Sequence, residues 1–171
     1  NQMAISNSSV NVPNPVMRNQ VADYLMVDDK FELMGVGFET LDENPNAQSM
    51  QKTYVNQATA TNVVKSYQTE FPFSADMINS EKAIMALQKV GRNHLTGAAA
   101  MFEYVRVDLF DPADGQANVF QARQFIVSAE ISGNTGNGGD PLALAGTLKA
   151  VGDPVLGTFT TTTRTFTAAS A

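Results

Sequence analysis

The sequence predicts a mainly β protein: two packed antiparallel sheets, or a barrel-like sandwich, with one α-helix on the flank. Three observations predict it. Residues 101–110 and 119–131 are long runs rich in Val, Phe, Ile and Tyr, bounded by turn-forming residues. Gly-Asp-Pro occurs twice, at 139–141 and 152–154, around a small, apolar stretch. The clearest helical periodicity in the chain is confined to residues 80–91.

Composition narrows the class of function. The 171 residues suit one domain spanning 1–171, with 43% hydrophobic and 16% charged residues. A net charge of −6 argues against a protein that grips nucleic acid through its phosphates, and against a basic membrane-surface helix. The chain has no cysteine, which excludes disulfides and thiolate metal sites. It contains no run of about 18 apolar residues of the kind that spans a bilayer as a helix. Its first residues show neither the basic nor the apolar region of a signal peptide, so a soluble protein of the cytoplasm is expected.

Residues 1–20, rich in Asn, Ser and Pro, are expected to form an N-terminal arm that buries little by itself. Tyr24–Val27 and Leu33–Phe38 read as a hairpin or two adjacent strands separated by residues 28–32, with Gly35 and Gly37 marking a bulge or a close backbone approach. Residues 40–61 form a long polar connection without clear periodicity, a length that is usually functional or disordered. Residues 62–77 read as one long strand, or as two with a kink at Pro72, where proline suits an edge or bulge. In the helix, Ser80 is the expected N-cap and Glu81 meets the positive end of the dipole. Ile84, Leu87 and Val90 share a face with Ala83 beside them, and Gly91 is expected to end the helix in the left-handed conformation. Residues 101–110 and 119–131 make a long hairpin across the turn segment 111–118. Residues 142–151 and 155–167 are expected to form a second hairpin around Gly152-Asp153-Pro154, and residues 160–171 a C-terminal arm.

No catalytic, cofactor or metal site assembles from these residues. The glycine-rich stretch 133–140 lacks the Gly-Lys-Ser/Thr and following helix of a phosphate loop. Residues 111–115 resemble the start of a calcium loop, but the twelfth position is Ala122 where a glutamate is needed. His94, the single histidine, falls just beyond the helix, where a cation suits the negative end of the dipole. No serine lies in a nucleophile-elbow motif. Glu70, Asp76, Glu103, Asp108 and Glu130 lie on or near expected strands without the context of an acid–base pair.

The order of the parts resembles the major tail tube protein of long-tailed bacteriophages, in the version common among phages of Gram-positive hosts. The resemblance covers residues 21–167. It rests most on "GFETL" at Gly37–Leu41 with the loop after it, and on "GTLKAVGDPVLG" at Gly146–Gly157. It implies two packed sheets or a closed barrel with a flanking helix. It also implies six copies joined in a ring, rings stacked into a hollow tube, and DNA passing through at ejection without specific binding. Tape-measure, tail-terminator and baseplate or tail-tip proteins are the implied partners. The implied place is the tail of a virion, with the host cytoplasm as the site of assembly. In such a tube, residues 40–61 and both arms would reach the adjacent ring, with Asp42, Glu43, Asn44, Met50, Lys52 and Tyr54 as candidate contacts. Glu70, Asp76, Glu103, Asp108 and Glu130 become candidate lumen-facing acids. Two alternatives stand beside this reading: a tube subunit of a contractile injection or type VI-like secretion machine, and a β-sandwich binding module on a virion.

Overall fold

The computed structural model describes residues 13–170. The expected N-terminal arm therefore lies partly outside the described residues, as does Ala171. One antiparallel sheet dominates the fold. It contains β1 (Val21–Val27), β2 (Lys30–Leu33), β3 (Phe38–Leu41), β6 (Glu70–Asp76), β7 (Met101–Pro112), β8 (Val119–Thr135), β9 (Ala143–Ala150), β10 (Val155–Thr160) and β11 (Thr165–Ala168). The order is β2-β1-β7-β8-β9-β6-β3, with β10 pairing β8 and carrying β11. A separate two-stranded ribbon contains β4 (Ala47–Lys52) and β5 (Thr61–Tyr67), and α1 spans Lys82–Arg92. The sheet curls into a half-barrel with α1 against one face, so the sequence-predicted fold class holds.

The first hairpin is tighter than the sequence reading placed it. Val27 faces Lys30 directly, and Asp28 and Asp29 have φ of 49° and 61°. Positive φ at both central residues defines a type I′ turn, whose twist matches the strands it joins. Residues 30–32 are therefore strand, and β2 ends at Leu33, with residues 34–37 turning the chain into β3. Gly37 does mark a close approach: its φ is 89°, and an added Cβ would lie 2.8 Å from Ile78 and Ile84 side-chain atoms.

The two Gly-Asp-Pro triplets do different work. The first lies in the loop joining β8 to β9, a true hairpin in which Thr135 faces Ala143. The second does not turn a hairpin, because β9 and β10 do not pair with each other. Both run along the same edge of β8, with Ala150 opposite Val127 and Val155 opposite Gln124. Residues 151–154 are an insertion that bends this long strand, with Gly152 at φ 81°. The sheet branches there: β9 carries β6 and β3, whereas β10 carries β11. The expected strand over 155–167 is consequently broken at residues 161–164, and part of the expected C-terminal arm is β11.

Residues 40–61 are not a structureless connection. They hold the end of β3, all of β4 and the start of β5. The chain also breaks at Gln68-Thr69 and not at Pro72, which lies inside β6 between β9 and β3. Pro72 is tolerated because its carbonyl accepts from the Asp42 amide at 3.0 Å, so its missing N–H falls on that same side, where the neighbouring strand is short and irregular.

The helix starts one residue later than expected, with Glu81 as N-cap and no side-chain cap bond from Ser80 or Glu81. Gly91 is inside the helix. An added Cβ would meet Ile131 at 3.0 Å, so glycine lets α1 approach β8. His94 ends the helix, at φ 51°. The Leu95 amide donates to the Val90 carbonyl and the His94 amide to the Gly91 carbonyl, the bond pair of a Schellman motif.

Two cores follow from the curl. On one sheet face, Leu25, Phe71, Phe125, Val127 and Leu148 pack with Ile84 and Leu87 of α1. On the other, Tyr24, Phe31, Val105, Val107 and Phe159 pack together as β10–β11 folds towards β2. The middle of β7 feeds both, so Tyr104 through Val107 are buried in succession. Each fully buried Leu, Val or Phe contributes about 1.5–3 kcal/mol of transfer free energy.

Candidate functional site

Beyond the second core, no element among the described residues covers the sheet face opposite α1. In β6 and β9, inward apolar residues alternate with half-exposed ones, a period of two. Register then decides which polar residues meet. Glu70 faces Lys149, which faces Ser128; Pro72 faces Thr147, which faces Glu130; Asp76 faces Ala143; Glu103 faces Ile126. Directly opposed residues share a face. The structure therefore brings Glu70, Asp76, Glu103 and Glu130 onto one open surface from three strands. Lys149 alone answers them among these cross-strand neighbours, with its Nζ 3.2 Å from Glu130 and 4.0 Å from Glu70.

Asp108 is not part of that surface. It lies on the opposite face, in phase with Tyr104 and Arg106 on β7. Burial pushes its carboxyl above the ordinary value. Arg123 and Arg106 pull it back in part, while Glu43 and Asp111 push it further up. Beside it lies a buried ionic cluster that the sequence reading missed. Asp23 and Arg106 sit opposite each other on β1 and β7, 2% and 8% exposed. Arg106 Nη1 lies 3.3 Å from Asp23 Oδ1, Arg18 Nη2 lies 2.8 Å from Oδ2, and the Tyr104 hydroxyl donates to Oδ1. Desolvation and the Asp23 charge hold the Tyr104 hydroxyl well above its ordinary pKa. For Arg106, desolvation lowers the pKa, but Asp23 and Tyr104 outweigh it and the net shift is upward. A lone Arg inside "YVRV" and a lone Asp inside "VADYLMV" were the available signals.

The ribbon is the second candidate surface. Every residue of β4 and β5 is exposed, including Met50, Val63, Val64 and Tyr67, and so is Tyr54 in the connection between them. Of the candidate contacts, Met50, Lys52 and Tyr54 lie on this projecting part. Asp42, Glu43 and Asn44 lie at its root. Asn44 exchanges two backbone bonds of 2.9 Å with Glu70, and Glu43 pairs with Arg123 on β8.

The residues weighed for other chemistry do not converge. His94 is a helix terminator, residues 111–115 span the end of β7 and the start of the β7–β8 connection, and Ala122 is buried in the second core. Among the described residues, no three or more His, Asp or Glu side chains are grouped to hold a metal ion. No helix among them is long and apolar enough to cross a membrane. An open groove of about 790 Å³ runs past Arg18, Tyr24, Met34, Phe38 and Phe120, largely apolar in lining.

No family profile and no curated protein sequence matches the chain. Solved structures do match its fold. A chain in the tail of an empty gene transfer agent particle, refined with C6 helical symmetry, aligns over 90% of this chain and 100% of its own, with a TM-score of 0.60 and 10% identity. The SPP1 tail tube aligns over 83% of this chain and 78% of its own, with a TM-score of 0.63 and 11% identity. A chain in the sheath–tube complex of an extracellular contractile injection system aligns over 90% and 98%, with a TM-score of 0.51 and 10% identity. The fold defined by the curled sheet, its ribbon and its single helix is thus the tail tube fold. Identities this low carry the architecture and leave the particular particle open.

Proposed function

We propose that this chain is the ring-forming subunit of a phage tail tube: six copies close a ring, rings stack, and DNA leaves through the bore. The observation that carries the reading is the open face with Glu70, Asp76, Glu103 and Glu130, on a fold shared with tail tubes. Turned inward, that face lines the bore with acids, hydroxyls and one lysine. DNA sliding past meets like charge and few cations to displace its counterions, so it is repelled and not held. Asp108 takes no part, because it lies on the face of α1. The exposed ribbon reaches the neighbouring ring through Met50, Lys52 and Tyr54. Tape-measure, terminator and tail-tip proteins are the partners of such a tube, and the virion tail is its place.

A second reading, the inner tube of a contractile injection machine, is favoured by one observation: an injection-system chain shares the architecture. The higher TM-scores of the gene transfer agent tail and SPP1 tube support the first. Negative-stain electron microscopy of the concentrated protein tests both. Long hollow tubes or stacked rings are expected. Protein that stays monomeric at high concentration, even when seeded with isolated tail tips, would overturn the tube assignment.

A further inference from the structure

One edge of the half-barrel is β3, which among the described residues pairs only with β6, and the ribbon grows directly from it. Regular pairing in β3 is short, with a register shift between Phe38 and Thr40. Past Asn44 the chain passes a joint at Pro45-Asn46 and Gln68-Thr69 before the first ribbon pair, Ala47 opposite Tyr67. Asn46 has φ 50°, and its side-chain amide donates to the Gln68 carbonyl at 3.1 Å. The Gln68 amide also donates to the Asn46 carbonyl, and the Ala150 amide of β9 to the Thr69 carbonyl, so the returning leg is tied to β9 while the outgoing leg, residues 42–46, has an open side.

Two arginines close the free side, Arg18 in the turn before β1 and Arg123 on β8. Arg18 Nη2 donates to the Leu41 carbonyl at 2.9 Å while holding Asp23. Arg123 meets Glu43 through both terminal nitrogens, Nη1 to Oε2 at 2.7 Å and Nη2 to Oε1 at 2.9 Å. The pair is a planar fork on a carboxylate, and such bidentate geometry fixes direction as well as distance. The Arg123 guanidinium also lies over the Phe125 ring, 5.5 Å from its centroid, which holds the fork in place from the core side. Both side chains are mostly shielded, at 29% and 20% exposure.

We infer that the Arg123–Glu43 fork is a positioning contact that clasps the half-barrel edge to β8 and sets the direction in which the ribbon projects. Glu43, which the sequence reading placed among contacts to another ring, works within its own chain. That the direction serves ring stacking rests on the tube-subunit reading; the clasp itself is a property of the single chain. Asp108 lies near enough to Arg123 to feel its charge, so Arg123→Gln leaves Glu43 and Asp108 with Arg106 as the remaining cation near both. The geometry of the fork, and not charge alone, is the active element.

The chain has no native cysteine, so two can be introduced without background. Spin labels at Ala58→Cys in the ribbon connection and Lys89→Cys on α1, both exposed, report the ribbon's direction by pulsed electron–electron distance measurement. The otherwise unaltered chain should give one narrow distance peak. Glu43→Gln and Arg123→Gln should each lose it for a broad distribution. Arg123→Lys should fall between them. Thermal unfolding of each variant shows whether it is folded, and the two glutamine variants probe the contact from either side, so one folded variant keeps the test decisive. A narrow peak that persists in a folded glutamine variant overturns the clasp. Failure of every variant, the labelled parent included, to form tubes would count against the tube reading and leave this distance result standing.

Discussion

Replacing Asp23 with Ala should be among the most damaging substitutions in the protein. Asp23 is 2% exposed and receives Arg106, Arg18 and the Tyr104 hydroxyl. Its removal affects the two arginines differently. The Arg18 side chain is 51% exposed and returns to water at small cost. Arg106 is 8% exposed on the α1 face of the sheet, and Asp23 is its one ion-pair partner among the described residues, so its charge is left buried and poorly answered. Breaking a buried pair in this way costs about 3–5 kcal/mol. At about 2–4 °C per kcal/mol for a chain of this size, the melting temperature should fall by roughly 6–20 °C. Urea titration by circular dichroism measures the loss, with equal slopes required for a clean comparison. The double variant Asp23→Leu, Arg106→Met separates charge burial from packing. It should recover most of the loss, since well-packed apolar groups replace buried pairs at little cost. A loss below about 1 kcal/mol for Asp23→Ala would match only an exposed pair, and would refute the sealed cluster. The pair also serves register: a slip of one residue would set Asp23 against Val105 or Val107.

Gly146→Ala should destabilise by several kcal/mol or abolish folding, because its Cβ would lie 2.4 Å from the Glu130 carbonyl oxygen in the neighbouring strand; chemical denaturation checks it. His94→Gly should stabilise by up to about 1 kcal/mol, since glycine adopts the left-handed φ of 51° without strain; a thermal melt that moves downwards contradicts the Schellman assignment. The raised Tyr104 pKa gives an alkaline limit. Folded Tyr104 keeps its proton while the unfolded side chain ionises near pH 10, so its stability contribution is whole below that pH and is lost as pH rises towards the folded pKa; Tyr104→Phe should flatten that fall in denaturation curves taken above pH 10. Replacing residues 47–67 by Asn-Gly should leave a folded monomer with an unchanged melt yet prevent stacking, because no residue of β4 or β5 is buried; tubes from that variant would remove the ribbon from assembly.

Particular residues show how far the sequence could be read. The hairpin over β7 and β8 was visible from its apolar runs and the turn between them. Its two faces were not, because residues 104–107 are buried in succession and alternation is lost where both faces are covered. Gly152-Asp153-Pro154 signalled a departure from straight pairing. Whether that is a turn or a bend depends on β8, whose 17 residues are long enough to accept β9 and β10 end to end. Of the ribbon, β5 was visible as the first part of the strand read over residues 62–77, but β4 and its pairing escaped notice because strand reading relies on burial and nothing in β4 or β5 is buried. The helix was legible from Ile84, Leu87 and Val90, but Gly91 was read as a terminator when its value is contact with Ile131. The candidate acids were individually visible. The convergence of four depends on register across β6, β9, β8 and β7, whereas Asp108 falls on the other face because it stands an odd number of residues from Glu103 on the same strand.

The most direct test of the account is a helical cryo-electron microscopy reconstruction of tubes grown from the purified protein. The account predicts a hollow bore lined by the face that carries Glu70, Asp76, Glu103 and Glu130, with α1 outside. A tube with α1 towards the bore, or with those four acids on the outer surface, would contradict it.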